Sequence, residues 1–213
     1  MLKVKIFPVN PLGQNCYILS SEGEAIIIDC GAKEAYECKQ IQEYLNSEKL
    51  NLKYVLLTHG HFDHILGLPY LYKEYGLKPW MHQADQIWYD HVNEVCTTIF
   101  GTGLPDTMPP IESYLQEGQE FTIGEDKLKV ICTPGHTQGG VCFYCESQGI
   151  LFSGDTLFCG SIGRSDLEGG DEIQEIDSIK NKLFTLPDEV IVYPGHGSST
   201  TIGYEKQYNY YIR

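Results

Sequence analysis

The sequence has few basic residues. Its 15 lysines and arginines stand against 29 aspartates and glutamates, so the formal net charge is −14. Nucleic acids and anionic membrane surfaces bind proteins largely through clustered positive charge. The composition therefore predicts no nucleic-acid partner and no membrane partner.

Long apolar runs are also missing. No segment approaches the roughly 20 apolar residues of a membrane-spanning helix, and residues 1–8 lack the pattern of a signal peptide. The eight cysteines are scattered along the chain. Without a secretion signal this distribution predicts reduced thiols and a cytoplasmic protein. Cys142 and Cys145 form a C-x-x-C, but they fall in an apolar strand and are predicted to be core residues.

The length fits a single domain over residues 1–213. Apolar patterns predict strands at 15–19, 25–28, 54–57, 120–123, 128–133, 141–144, 150–153 and 190–193. Helical patterns cover 33–47, 65–75, 83–100 and 173–184. Strands outnumber helices, and helices separate groups of strands. This order predicts an α/β fold with a two-sheet core and helices on the outer faces. The pattern does not predict an oligomeric state.

The densest chemical motif is Thr58-His59-Gly60-His61-Phe62-Asp63-His64, between a predicted strand and a predicted helix. Three imidazoles and a carboxylate this close together would need polar partners if they were buried. Histidine nitrogens and carboxylate oxygens are the usual ligands of zinc. The alternative is a histidine-rich surface loop, but a strand-to-helix corner favours a ligand site.

Three further candidate ligands follow later strands. His136, Asp155 and His196 each come shortly after an apolar strand and stand beside a glycine. Any one of them alone would be an ordinary turn residue, but together they indicate a metal site assembled from several strand ends. His82 and His91 lack this context and are predicted to be surface or capping histidines.

These residues resemble the metallo-β-lactamase superfamily. Its H-x-H-x-D-H motif and its later His, Asp and His match His59, His61, Asp63, His64, His136, Asp155 and His196, and its early Asp-x-Gly turn matches Asp29-Cys30-Gly31. The resemblance implies an αβ/βα sandwich of four layers, with two mixed sheets inside. It implies one metal on His59, His61 and His136, a second on Asp63, His64 and His196, and a bridging Asp155.

The loop from Thr156 to Asp166 and the segment Pro194-Gly195-His196-Gly197 look like the glyoxalase II-like branch, whose members hydrolyse thioesters such as hydroxyacylglutathione. The sequence ends soon after His196, so the resemblance is to a short form without the branch's C-terminal helical domain. The missing cysteine ligand argues against antibiotic hydrolysis. Gly163-Arg164-Ser165-Asp166 also resembles the loop of persulfide dioxygenases, which use a single iron.

The resemblance implies a dinuclear site, with zinc favoured and iron or manganese as alternatives. A metal-bound hydroxide would attack the thioester carbonyl, with Asp63 and Asp155 as the catalytic carboxylates that orient it. Asp29, Thr58 and Thr137 would fix imidazole tautomers from behind, or would be turn residues only. Arg164 would contact a substrate carboxylate, or would pair with Asp166 or Asp171 instead.

Other functions remain open on the same residues. A mononuclear iron persulfide dioxygenase needs only a facial set of ligands. A lactone or phosphodiester hydrolase would use the same two metals. A metal-binding module without activity is disfavoured, because structural zinc sites are normally closed by four ligands, often cysteines.

Overall fold

Two six-stranded sheets form the centre of the molecule in the computed structural model, which describes residues 2–212. The first sheet runs in chain order. Its first three strands are antiparallel neighbours, and its last four are parallel neighbours. The strands are β1 (Lys3–Val9), β2 (Gln14–Ser21), β3 (Glu24–Ile28), β4 (Asn51–Leu56), β5 (Pro79–Met81) and β6 (Ser113–Tyr114).

The second sheet has the strand order β14-β13-β10-β9-β8-β7 and contains one parallel pair, β10 with β13. Its strands are β7 (Glu120–Ile123), β8 (Asp126–Cys132), β9 (Val141–Cys145), β10 (Ile150–Gly154), β13 (Ile191–Pro194) and β14 (Thr200–Thr201). A separate hairpin pairs β11 (Leu157–Phe158) with β12 (Ser161–Ile162).

The helices lie between the strands in the chain. They are α1 (Ala35–Ser47), α2 (Phe62–Ile65), α3 (Leu68–Tyr75), α4 (Gln86–Asp90), α5 (Val92–Phe100), α6 (Glu172–Asn181) and α7 (Ile202–Tyr208). Helix α1 begins with a capping box, in which the Glu34 and Glu37 side chains each accept a backbone N–H of the first turn. Asp171 caps α6 by accepting the N–H of Gln174.

Alternation along the strands creates the layers. Ile26 and Ile28 face an apolar layer between the two sheets, whereas Ile27 faces the opposite side and packs with α1 residues such as Ile41. On the outer face of the second sheet, Leu151 packs with Ile179 of α6. The result is a helix–sheet–sheet–helix order, which confirms the predicted αβ/βα sandwich.

Two predicted helices are divided. The helix expected over 65–75 is α2 and α3, with the break at Gly67, whose N–H donates to the Cys30 carbonyl. The helix expected over 83–100 is a 3₁₀ turn (Gln83–Asp85) followed by α4 and α5. These two meet at His91, whose ring hydrogen-bonds to the Ile87 carbonyl and competes with a continuing helix. The short strands β5 and β6 were not predicted.

The cysteines lie as the sequence predicts, as free and mostly buried thiols. All eight thiols are free and six are buried. Cys142 lies in the outer layer of the second sheet and Cys145 in the layer between the sheets, as residues three apart on a strand should. Among residues 2–212, no helix combines the length and the apolarity needed to span a bilayer.

Candidate metal centre

Loops that follow four strands bring the predicted ligands to one place. The H-x-H-x-D-H motif comes after β4, His136 after β8, Asp155 after β10 and His196 after β13. Within this cluster, two triplets have ligand atoms that all lie within 4.8 Å of one another. We call His59, His61 and His136 the three-histidine set, and Asp63, His64 and His196 the mixed set.

The three-histidine set is closely packed. Nδ1 of His61 lies 2.9 Å from Nε2 of His136, and the ring of His59 lies 4.8 Å from that of His61 and 5.0 Å from that of His136. In the mixed set, Nε2 of His196 lies 3.1 Å from the Asp63 carboxylate. Nitrogen and oxygen donors therefore point at two neighbouring positions.

Asp155 lies between the two sets. Its Oδ1 is 3.3 Å from Nε2 of His64, and its Oδ2 is 3.7 Å from Nε2 of both His136 and His196. One carboxylate thus reaches a member of each set. The geometry allows Asp155 to share its two oxygens between two cations.

Four of the histidines are oriented by a hydrogen bond to the ring nitrogen that points away from the centre. The partners of Nδ1 are the Thr58 hydroxyl for His59, at 3.0 Å, and the Asp29 carboxylate for His64, at 2.9 Å. For His136 the acceptor is the Arg164 carbonyl at 2.7 Å, and for His196 it is the Leu12 carbonyl at 3.2 Å. A proton on Nδ1 leaves Nε2 free as a lone-pair donor toward the centre.

Asp29 supports both sets from behind. Its Oδ1 accepts the Thr58 N–H at 2.7 Å, and its Oδ2 accepts the Thr58 hydroxyl at 2.6 Å as well as His64 Nδ1. The residue is buried and has a φ of 54°, a left-handed conformation that Asp tolerates better than most residues. Asp29, His59 and His64 also form a compact triplet. Both Asp29 oxygens already accept hydrogen bonds from Thr58 or His64, however, which favours a supporting role over metal binding.

The cluster fits a bound cation. His59 Nε2, His64 Nε2 and Asp155 Oδ1 are buried atoms that have no hydrogen-bond partner among the described residues. Buried polar atoms without partners are unfavourable, and these three are metal-ligand types aimed at the centre. A divalent cation would satisfy all of them.

The two sets differ in their electrostatics. Burial, reinforced by neighbouring imidazoles, lowers the pKa of His59 and that of His61, the latter to about 4. Burial also opposes protonation of His64 and His196, but nearby carboxylates outweigh it, and their pKa values are raised. The mixed set therefore attracts positive charge, which a proton or a metal cation can supply.

The His196 loop approaches the centre closely, and strand β2 holds it there. A Cβ on Gly195 would lie 2.7 Å from Cε1 of His64 and would also clash with Asp155 Oδ1, so the position requires glycine. Asn15 donates its backbone N–H to the Gly195 carbonyl at 2.7 Å, and the Tyr17 hydroxyl donates to the Pro194 carbonyl at 2.5 Å. This contact joins the first sheet to the second at the metal centre.

Two predicted site residues lie elsewhere than expected. Thr137 does not orient an imidazole, because its hydroxyl donates to the Asp85 carboxylate at 2.8 Å. The Arg164 guanidinium is exposed and makes a two-point ion pair with Asp166, at 2.9 and 3.0 Å. Arg164 reaches the centre only through its carbonyl, so the predicted alternative, a salt bridge to Asp166, describes its side chain. His82 and His91 lie at helix ends, as predicted.

The sequence analysis missed two buried carboxylates beside the centre. Asp85 accepts hydrogen bonds from two of the ligand loops, and Glu175 of α6 accepts the backbone N–H of His136. Burial raises the pKa of Glu175 to about 8. Neither carboxylate stands in a ligand motif, and Glu175 lies on a helix whose charged residues are otherwise typical of a surface. Only the fold shows that they are buried.

Comparisons with known proteins identify the family of the chain. The family model of the metallo-beta-lactamase superfamily matches residues 9–196. The probable metallo-hydrolase YqgX of Bacillus subtilis is 33% identical over 211 residues, 99% of this chain and 98% of the relative. Hydroxyacylglutathione hydrolase GloC of Haemophilus influenzae is 35% identical over 213 residues, again 99% of this chain and 98% of the relative.

Two solved structures share nearly the whole fold. BLEG-1, described as a B3 metallo-beta-lactamase, superposes with a TM-score of 0.88 at 35% identity and covers 100% of this chain and 99% of its own. TTHA1623 in a di-iron-bound form superposes with a TM-score of 0.86 at 33% identity, covering 98% of this chain and 100% of its own. The shared fold thus occurs in one protein described as a beta-lactamase and in another described by its two iron ions.

Proposed function

The chain belongs to the metallo-beta-lactamase superfamily, and we propose that it hydrolyses small acyl-thiol substrates, such as hydroxyacylglutathione, with two zinc ions. One ion would be held by the three-histidine set, the other by the mixed set, and Asp155 would bridge them. As part of the same proposal the enzyme works in the cytoplasm, where its eight free thiols would stay reduced.

The observation that carries the proposal is the juxtaposition of two complete ligand sets around Asp155. Each set contains three donors, and Asp155 is within 3.7 Å of a nitrogen in each. Dinuclear hydrolytic sites hold their ions about 3.5–4 Å apart, a spacing that one shared carboxylate can span. All ligands are nitrogen or oxygen donors, which suits zinc.

When bound, the two cations would lower the pKa of a coordinated water toward about 7 and polarise the substrate carbonyl. The protein's own contribution is orientation. Asp63 and Asp155 hold their oxygens beside imidazole nitrogens at 3.1 and 3.3 Å and would position the attacking water. A thiol leaves readily as the thiolate, since its pKa is about 8.5, so thioester cleavage needs no separate proton donor.

The rim of the centre supports an acyl substrate. The Trp88 ring lies 5.5 Å from that of His61, and the Phe158 ring lies 6.4 Å from that of His196. Leu12, whose carbonyl orients His196, is 51% exposed. These apolar side chains could contact an acyl group and exclude water from one side of it. The likeness to GloC along almost the whole chain supports the same substrate class.

Iron is the main competing metal, because TTHA1623 was solved with two iron ions. Persulfide oxidation would need one iron with open positions. The complete mixed set in this chain favours a second metal and therefore hydrolysis. The likeness to BLEG-1 makes a β-lactam a necessary competitor in any substrate test.

The proposal is tested by metal analysis of the purified full chain together with a substrate panel. The panel holds S-lactoylglutathione, a simple aliphatic thioester, a lactone, a phosphodiester, a β-lactam and glutathione persulfide with oxygen monitoring. We expect two zinc ions per chain and the highest kcat/KM on a thioester. His196→Ala should lose most of the turnover, whereas His91→Ala, which alters an exposed histidine at a helix end, should retain it. One iron per chain with oxygen uptake would overturn the proposal.

A further inference from the structure

Asp85 is a buried carboxylate that belongs to neither ligand set. It ends the 3₁₀ turn Gln83–Asp85, before α4, and has a relative exposure of 0%. A buried carboxylate requires donors that compensate for its lost hydration. The identity of those donors indicates what the residue does.

Three donors converge on Asp85 from two loops. Its Oδ2 accepts the Gly60 N–H at 2.8 Å and the Thr137 hydroxyl at 2.8 Å, and its Oδ1 accepts the Gly139 N–H at 2.7 Å. Gly60 stands between His59 and His61, and Thr137 directly follows His136. Every member of the three-histidine set is therefore covalently adjacent to a residue that Asp85 holds.

Both ligand loops pack closely against Asp85. A Cβ on Gly139 would lie 2.6 Å from Cγ of Asp85, and a Cβ on Gly60 would lie 2.9 Å from the Asp85 backbone oxygen. Both loops thus rest directly against this residue. The mixed set has separate supports, namely Asp29 behind His64 and the Leu12 carbonyl behind His196.

We propose that Asp85 is a positioning residue that fixes the two loops of the three-histidine set in their metal-binding arrangement, and that it acts on this set alone. The inference rests on the metal assignment of the proposed function and is independent of the substrate. Replacing the supporting partners of metal ligands typically weakens metal affinity by about 10–100-fold.

Asparagine at position 85 would test this role with little change in shape. An ionised carboxylate only accepts hydrogen bonds, whereas an amide presents one acceptor oxygen and a donor NH₂ group. Because all three groups facing Asp85 are donors, the amide would leave at least one without an acceptor. The loop that loses its bond is then free to shift, together with its histidine.

The measurement is the zinc affinity of the full chain by chelator competition. Each ligand set is measured separately, in a variant that lacks one histidine of the other set. In a His196→Ala background the three-histidine set is intact, and in a His136→Ala background the mixed set is intact. Asp85→Asn should weaken zinc binding about 10–100-fold in the first background and less than about threefold in the second. Equal loss in both backgrounds, or no loss in the first, would overturn the proposal.

A matched control separates positioning from general stability. Asp126 is another buried carboxylate, and it accepts from Ser147 and Gln148 at 2.7 and 2.8 Å, away from the metal centre. Asp126→Asn should lower the melting temperature without changing either zinc affinity, and a comparable affinity loss there would refute the positioning role.

A milder pair of variants covers the case in which Asp85→Asn does not fold. Thr137→Val removes one of the three donors and should weaken zinc binding in the His196→Ala background, whereas Thr137→Ser keeps the hydroxyl and should restore it. Failure of Thr137→Ser to restore zinc affinity would contradict the positioning role of Asp85. Thioesterase assays of the wild type are run separately, so that the wrong substrate class would not be mistaken for failure of this inference.

Discussion

Asp29→Asn should weaken metal binding by the mixed set, because it changes which ring nitrogen of His64 carries the proton. In the wild type, Asp29 Oδ2 accepts the proton on His64 Nδ1, so Nε2 is the nitrogen whose lone pair would bind a metal once the metal has displaced its proton. If the asparagine oxygen keeps the bond to the Thr58 N–H, its NH₂ group faces His64. The imidazole must then accept at Nδ1 and carry its proton on Nε2, the atom that faces the metal centre.

The expected loss of zinc affinity follows from the removal of one supporting partner. Loss of the supporting partner of a ligand histidine typically costs about 10–100-fold in metal affinity, which corresponds to about 1.4–2.7 kcal/mol. The three-histidine set should lose less, because Asp29 reaches His59 only through the Thr58 hydroxyl. Asparagine also tolerates the positive φ of this position, so the backbone should not be the cause.

The assay is zinc competition in the two single-set backgrounds, with nitrogen NMR of the imidazoles to report which ring nitrogen carries the proton. We expect the Nδ1-protonated signal of His64 to give way to the Nε2-protonated form in the variant. Two zinc ions bound at wild-type affinity, with an unchanged His64 tautomer, would refute the reasoning. Asp126→Asn again serves as the control for removing a buried carboxylate.

Three further predictions concern the same centre. Gly195→Ala should abolish zinc binding by the mixed set, because the new Cβ would lie 2.7 Å from Cε1 of His64; metal analysis that finds two zinc ions per chain would contradict this. Zinc affinity of the mixed set should rise with pH over the range in which His64 and His196 still carry protons, by about tenfold per unit for each displaced proton. The reason is that the raised pKa values of His64 and His196 keep protons on these rings in the metal-free protein. The three-histidine set should change less, since the lowered pKa values of His59 and His61 leave those rings neutral in this range, and equal slopes in competition titrations would be the contrary result. Arg164→Ala should leave the unfolding free energy essentially unchanged, because its ion pair with Asp166 is exposed; a clear loss in denaturant titration would show that the side chain has a role beyond this pair.

Much of the fold was predictable because its strands carry regular apolar patterns. The run Glu24–Ile28 is apolar from Ala25 onward, which is typical of a strand buried on both faces, and its alternate residues lie in two different layers. The strands β5 and β6 were not predictable in this way, because they are three and two residues long. Such short strands form by pairing with their neighbours in the sheet, and they have too few residues to show a period.

The candidate ligands were also visible in the sequence, because each is a metal-binding residue type placed just after a strand. The groups that orient these residues could not be predicted from the sequence. His136 and His196 are oriented by the carbonyls of Arg164 and Leu12, and every residue has a carbonyl, so no side-chain pattern marks these two positions. Asp85 is separated from Gly139 by 54 positions in the chain. An acidic residue beside a predicted helix looks like an ordinary cap until the fold brings the second loop against it.

The bond between Asn15 and the Gly195 carbonyl has a consequence for the order of events during synthesis. A chain still emerging from the ribosome can complete the first sheet before residue 196 has been synthesised. Its mixed set lacks one candidate ligand until β2 has bound the loop that carries His196. Under the proposed assignment, metal binding by the complete mixed set has to wait for the two sheets to dock. Occupancy of that set would then report that the contact between the sheets has formed.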